Sequence, residues 1–182
     1  MLAAVLGGAR GVWAELAELE AALGRRPDLI VGTNDAGVVY PGRLDAWATL
    51  HHERFAEWRG RRVGNDDYRA FIHAPRVGVV AEVVPDRWAA SSGVYAAQIA
   101  LSHLGARGVV LCGCPLDVAS AHFFNSAAWI DAPVFRRGLE AALPVIRDHV
   151  RSMSGWTRDL LGFPDPQWLI DRAAALQPEA ME

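Results

Sequence analysis

Four short segments carry residue types that could do chemistry. The first is Gly7-Gly8-Ala9-Arg10-Gly11. It sits between an apolar run and a helical pattern, an arrangement that aims free N–H groups and a helix dipole at an anion. Gly7, Gly8 and Arg10 are therefore candidate phosphate contacts, with Arg10 offering a two-pronged guanidinium; a tight packing turn is the structural alternative. Gly8 and Gly11 fit the last two glycines of the dinucleotide pattern, and Leu6 stands where the first would be. The second segment, Gly32-Thr33-Asn34-Asp35, closes the next apolar run. Asn34 can donate and accept and Asp35 can accept, which suits ribose or base contact, or else an Asx turn.

The third segment is Ser91-Ser92-Gly93-Val94-Tyr95. The hydroxyls of Ser91 and Ser92 could cap a helix, bind a ligand, or both. Gly93 weakens a helix, so it points to close approach by another group. The fourth runs from Gly113-Cys114-Pro115-Leu116-Asp117 to Ala121-His122-Phe123-Phe124-Asn125. Asp117 could hold a metal or a hydroxyl. His122 is the best general-base candidate, because imidazole titrates near neutrality; a surface or capping histidine is the alternative. His51-His52 is a second histidine candidate, while His73, His103 and His149 read as structural or solvent-facing.

These segments need elements to hold them. Leu2–Leu6 reads as a strand. Val12, Leu16, Leu19 and Leu23 mark a helix that Gly24 ends. Residues 28–31 and 46–50 read as strands, 53–59 as a helix, 59–68 as a loop, and 71–73 and 77–84 as one or two strands. A helix begins at Ser91-Ser92 and stops at Gly105, and Gly108–Cys112 is a further strand. Asp131-Ala132-Pro133 opens a helix expected to run to about Arg151, with a kink at Pro144. Short helices follow at 156–161 and 166–176, and the end beyond Gln177 is expected to fray. Strands that are continuous apolar runs, alternating with helices, predict an α/β fold: a Rossmann-like parallel sheet covered by helices on both faces. The expected division is a Rossmann-like nucleotide-binding domain over 1–151 and a helical C-terminal appendage and tail over 152–182. In such sheets ligands lie beyond the carboxyl ends of the strands, where the loops should converge.

Composition removes other classes. The 182 residues are 52% hydrophobic and 21% charged, which is neither disordered nor fibrous. All 18 basic residues are arginine, so no P-loop lysine or Schiff-base lysine exists. A net charge of −3 argues against general nucleic-acid or anionic-membrane binding. No apolar run approaches the roughly 18 residues of a membrane span, and the start lacks the basic segment of a signal peptide. Two cysteines, Cys112 and Cys114, cannot form a disulfide framework or a four-ligand zinc site. Alternation places them on one strand face as a free buried pair, with a reactive or metal-binding pair as the alternative. A cytoplasmic location is expected.

Ser91-Ser92-Gly93-Val94-Tyr95, Ala100-Leu101, Leu104-Gly105 and Val109-Val110-Leu111-Cys112-Gly113 with Asp117 resemble a pattern shared by two groups. One is the bacterial sialyltransferases of the Campylobacter lipooligosaccharide type. The other is the proteins similar to archaeal 6-hydroxymethylpterin pyrophosphokinase (the domain of unknown function 115 group). The resemblance covers patches of residues 1–125. Gly113-Cys114-Pro115 departs from the usual G-I-D, which displaces Asp117 by two residues. The resemblance implies a modified Rossmann fold with nucleotide contacts from Gly8, Asn34, Ser92 and Gly93. His122 matches the sialyltransferase general base. Small members of the group look like phage and prophage proteins.

The expected function is a nucleotide-binding, glycosyltransferase-like transferase using a nucleotide or nucleotide sugar of the CMP or ATP type. An ATP-dependent pyrophosphokinase, with Mg²⁺ on Asp117 or Asp35, is one alternative. A non-catalytic nucleotide-binding or phage accessory protein is another. The expected partner is a small-molecule nucleotide, with a homo-oligomer contact through the tryptophan-bearing C-terminal helices as a further expectation.

Overall fold

A computed structural model describes residues 1–62 and 67–173. The elements follow in chain order as β1 (Leu2–Leu6), α1 (Val12–Leu23), β2 (Leu29–Thr33), α2 (Asn34–Val39), β3 (Ala46–Thr49), α3 (Phe55–Arg61), β4 (Arg69–Ile72) and β5 (Glu82–Val83). They continue as α4 (Ser92–His103), β6 (Gly108–Cys112), α5 (Ala132–Ile146), β7 (Val150–Ser152), α6 (Gly155–Leu161) and α7 (Pro166–Ala173). The strands form one seven-stranded sheet in the order β5-β4-β3-β2-β1-β6-β7, and every pair is parallel. This is the Rossmann-like α/β arrangement that the sequence predicts.

Strand alternation divides the core in two. Leu2, Ala4 and Leu6 of β1 pack with α1, α2, α3 and α7, whereas Ala3 and Val5 pack with α4, α5 and α6. Both faces are covered, which is why the strands read as unbroken apolar runs. α4 is buried along most of its length, from Ser92 to Ala100. Its buried polar groups are satisfied by the segment before it: the Tyr95 hydroxyl donates to Val84 O (2.8 Å) and Gln98 Nε2 to Pro85 O (2.9 Å).

Two aspartates tie the amino ends of the strands together. Asp28 Oδ2 accepts the Leu2 N–H at 2.7 Å, and Asp45 Oδ2 accepts the Ile30 N–H at 2.8 Å. Order reverses between β1 and β6, since the chain leaves β1 for β2 on one side and returns to β6 on the other. The crevice beyond the carboxyl ends of these two strands is the topological switch point.

The structure corrects several expected elements. The strand expected over 77–84 shrinks to β5, because Gly78 turns with φ +79° and leaves Val77 and Val80 exposed. The 32–35 segment is no loop: β2 runs to Thr33 and α2 starts at Asn34, whose left-handed φ of +44° makes the corner. The helix expected to reach Arg151 ends at Ile146, and β7 follows, pairing Val109 with Val150. The division expected after 151 falls inside β7. Trp168 and Leu169 of α7 are buried against the sheet, so the C-terminal helices share its core. α3 runs into the start of the expected 59–68 loop, part of which lies outside the described residues, as does the fraying expected beyond Gln177. Among the described residues, no helix is long and apolar enough to cross a membrane.

Asp28 yields an acid-side prediction. Burial opposes its ionisation, but hydrogen bonds from Arg25 and the Leu2 N–H outweigh this and hold its carboxyl below the usual aspartate value. A group lowered in the fold stabilises fully above its unfolded value, near pH 3.9, and loses this as pH falls further. Asp28→Asn is expected to lower the urea midpoint at pH 7 and to differ less from wild type as pH falls below about 4.

Candidate functional site

The carboxyl ends of β1 and β6 meet the start of α4 at one atom. Gly7 N–H donates to Cys112 O at 2.8 Å, and Gly113 then turns with φ +69°. A Cβ on Gly113 would lie 2.6 Å from Val12 Cβ, so conformation and space both require glycine. Beyond this turn Cys114 packs on the α4 side, while Cys112 packs on the α1 side. The expected same-face pair is thus split between the faces, because the strand ends at Cys112. Cys114 Sγ occupies the space that a Cβ on Gly7 would need, and a Cβ on Gly93 would meet it at 2.7 Å. The first, third and fourth segments therefore converge. Both thiols are free and buried. Burial pushes Cys114 up to about 12 and Cys112 well above its ordinary value, so neither is a ready nucleophile.

The glycine loop spends three of its five amides, those of Gly7, Ala9 and Arg10, on the protein. Ala9 N–H donates to Gly113 O (3.0 Å), Arg10 N–H to Ala121 O (2.9 Å), and Phe123 N–H returns to Gly8 O (3.0 Å). The Gly113 N–H is taken by Glu15 Oε2 at 2.7 Å. His122 lies over Gly8, where a Cβ would sit 2.5 Å from Nε2. The loop thus docks the 113–125 segment, which leaves the Gly8 and Gly11 N–H groups without a hydrogen bond among the described residues. A cleft of about 200 Å³ remains, lined by Arg10, Gly11, Glu15, Asp117, Ser120 and Ser154 among others. Arg10 is exposed, and its guanidinium has no hydrogen bond or ion pair among the described residues.

Asp117 is at the cleft but engaged. Its Oδ1 accepts from Arg136 Nη2 (3.1 Å) and its Oδ2 from the Trp156 N–H (3.2 Å). Arg136 also donates to Leu116 O and lies over the Trp156 ring, 4.9 Å from its centroid. This clamp joins the β6 loop to α5 and α6. His122 follows Ala121 at the cleft wall. Its Nδ1 accepts the Phe124 N–H at 3.1 Å, which puts the neutral ring's hydrogen on Nε2. Burial lowers its pKa, and the Asp35 charge opposes this.

The remaining candidates face the chain itself. Asn34 Oδ1 accepts the Thr49 hydroxyl (2.7 Å), and its carbonyl accepts Trp47 Nε1–H (3.1 Å). Ser92 Oγ accepts the Leu50 N–H at 3.4 Å. Ser91 stands at the N-cap of α4 without a side-chain cap bond, and it is buried like Ser92. Asp35 reaches the cleft only through its field on His122. Elsewhere, His52 and His73 bring their rings to 4.7 Å at the ends of β3 and β4. Among the described residues, no group of three metal-binding side chains stands together.

Glu15, Ser120, Arg136 and Ser154 did not stand out in the sequence. Glu15 stands in the sequence among Glu18 and Glu20 in the Val12–Leu23 helical pattern, with nothing to set it apart from them. No family model, curated protein or solved structure matches the chain.

Asp117→Ala should unpair Arg136 and the Trp156 N–H and cost about 1–3 kcal/mol by urea unfolding. His122 should titrate below 6.5 by NMR. Its neutral form is the one the fold favours, so its contribution is present above about pH 6.5 and is lost as pH falls through its lowered value.

Proposed function

We propose that this chain is a nucleotide-binding transferase of the glycosyltransferase-like type, working in the cleft beyond β1 and β6. The observation that carries this is the Arg10 guanidinium, unpaired among the described residues, at a cleft on the switch point of a parallel sheet. Ligands of such sheets occupy this crevice, and a guanidinium with two parallel donors matches a phosphate. Glu15 Oε1, which takes no hydrogen bond among the described residues, could accept from a ribose or sugar hydroxyl. The hydroxyls of Ser120 and Ser154 line the same cleft.

In this reading His122 offers a hydrogen bond from Nε2 to a phosphate or acceptor oxygen. To accept a proton there as general base it needs the other tautomer, with Nδ1 released by the Phe124 N–H. Pyrophosphoryl transfer asks for carboxylates free to hold Mg²⁺. Asp117 is held by Arg136 and Trp156, and Asp35 does not line the cleft, which supports glycosyl over pyrophosphoryl transfer.

The test is thermal unfolding against CMP, CMP-sugar, UDP-sugar, ATP, AMP and NAD, each with and without Mg²⁺. A ligand at a hundred times its dissociation constant adds about 2.7 kcal/mol. A Mg²⁺-independent shift with a pyrimidine nucleotide is expected, and Arg10→Gln should weaken it roughly tenfold or more. A Mg²⁺-dependent shift with ATP alone would favour the pyrophosphokinase. No shift with any compound would contradict nucleotide binding.

A further inference from the structure

The outward face of α5 carries apolar side chains that the fold leaves in the open. Val134 is 53% exposed and Val145 62%, and Ala141 between them is exposed as well. Helical geometry sets these three within about 40° of one another, on a line that follows the helix for about 16 Å. Beside that line stand Arg137 and Glu140, both exposed. Neither makes a hydrogen bond or ion pair among the described residues. The inner face is committed elsewhere: Leu139, Ala142 and Ile146 lie in the core, and Arg136 reaches Asp117. Valine at an exposed helix position adds neither helix propensity nor solubility. Trp168 and Leu169 of α7 are buried in the chain's own core, so self-association needs a face other than the tryptophan-bearing helices.

What the α5 stripe fits is a copy of itself. In an antiparallel helix pair related by a two-fold axis, like flanks meet. Setting Val134 against Val145 of the second copy puts Ala141 beside the axis, where its small side chain lets the helices approach. The same register brings Arg137 and Glu140 of the second copy onto one flank, about 3 Å apart along the axis. Symmetry makes that contact twice. A parallel pair would instead set Arg137 against its own copy, a like-charge contact. Charge and shape thus select one orientation.

We propose that α5 is a self-association surface, pairing antiparallel with a second copy of this chain through Val134, Ala141 and Val145 and through Arg137 with Glu140 of that copy. One helix face makes a small interface, so monomer and dimer interconvert with concentration. The proposal does not rest on nucleotide binding, since Arg136 and Asp117 lie on the other side of the helix.

The test is sedimentation equilibrium of the full chain at rising concentration, where a monomer–dimer equilibrium is expected. Val134→Asp and Val145→Asp should each weaken it roughly tenfold or more. Arg137→Glu and Glu140→Arg should each weaken it, and the two together should restore it, because the swap exchanges the partners. Oxidation of a chain carrying both Val134→Cys and Val145→Cys checks the register. Within one chain these positions lie about 16 Å apart, too far for a disulfide. A covalent dimer is therefore expected from the double variant and little from either single one. The proposal is overturned if the wild-type chain stays monomeric at every concentration, or if both aspartate variants dimerise as the wild type does. It is equally overturned if the double charge swap dimerises no better than the single ones, or if the single-cysteine variants cross-link as fast as the double.

Discussion

Cys114 Sγ fills the space left by the missing side chains of Gly7 and Gly93, and three segments depend on that contact. The glycine loop, the start of α4 and the chain leaving β6 come from positions far apart in sequence. Packed interiors leave few voids larger than a water molecule, so a side chain added at either glycine would have to push the sulfur aside. With this junction set, Gly113 can turn, the 121–123 segment can pair with the glycine loop, and His122 can lie over Gly8. The cleft beside Arg10 is what the junction leaves open.

The junction also changes where ligand affinity can come from. A strand, a glycine turn and a helix normally present free amides to phosphate. In this chain three of the turn's five amides bond to Cys112, Gly113 and Ala121, and Glu15 sits in the first turn of α1. In the proposed nucleotide reading, phosphate would be held by the Arg10 guanidinium at the cleft together with the loop amides left without a partner. Asp117, held on both oxygens, works as a clamp for α5 and α6.

Most of the central sheet was legible in the sequence. β1, α1 and β6 match their expected ranges, because long apolar runs and 3/4 spacing carry strong periodic signals. β7 was hidden, since three residues at a sheet edge have no period and adjoin a helical pattern. The 77–84 run misled because its valines are β-prone while Gly78 turns the chain away from the ladder. The convergence of the candidate segments could be read from the topology rule for parallel sheets. The tertiary partners that decide each group's chemistry could not: the Phe124 N–H on His122, the Arg136 and Trp156 contacts on Asp117, and the opposite faces of Cys112 and Cys114. Each of these depends on geometry that no local pattern encodes.

The most direct measurement is amide chemical-shift mapping of the ¹⁵N-labelled chain during titration with CMP, CMP-sugar, UDP-sugar or ATP. The account predicts saturable shifts concentrated at residues 9–11, 117–121 and 154–155, the walls of the Arg10 cleft. Shifts centred instead on the ends of β3 and β4, or no saturable shift with any of these compounds, would contradict it.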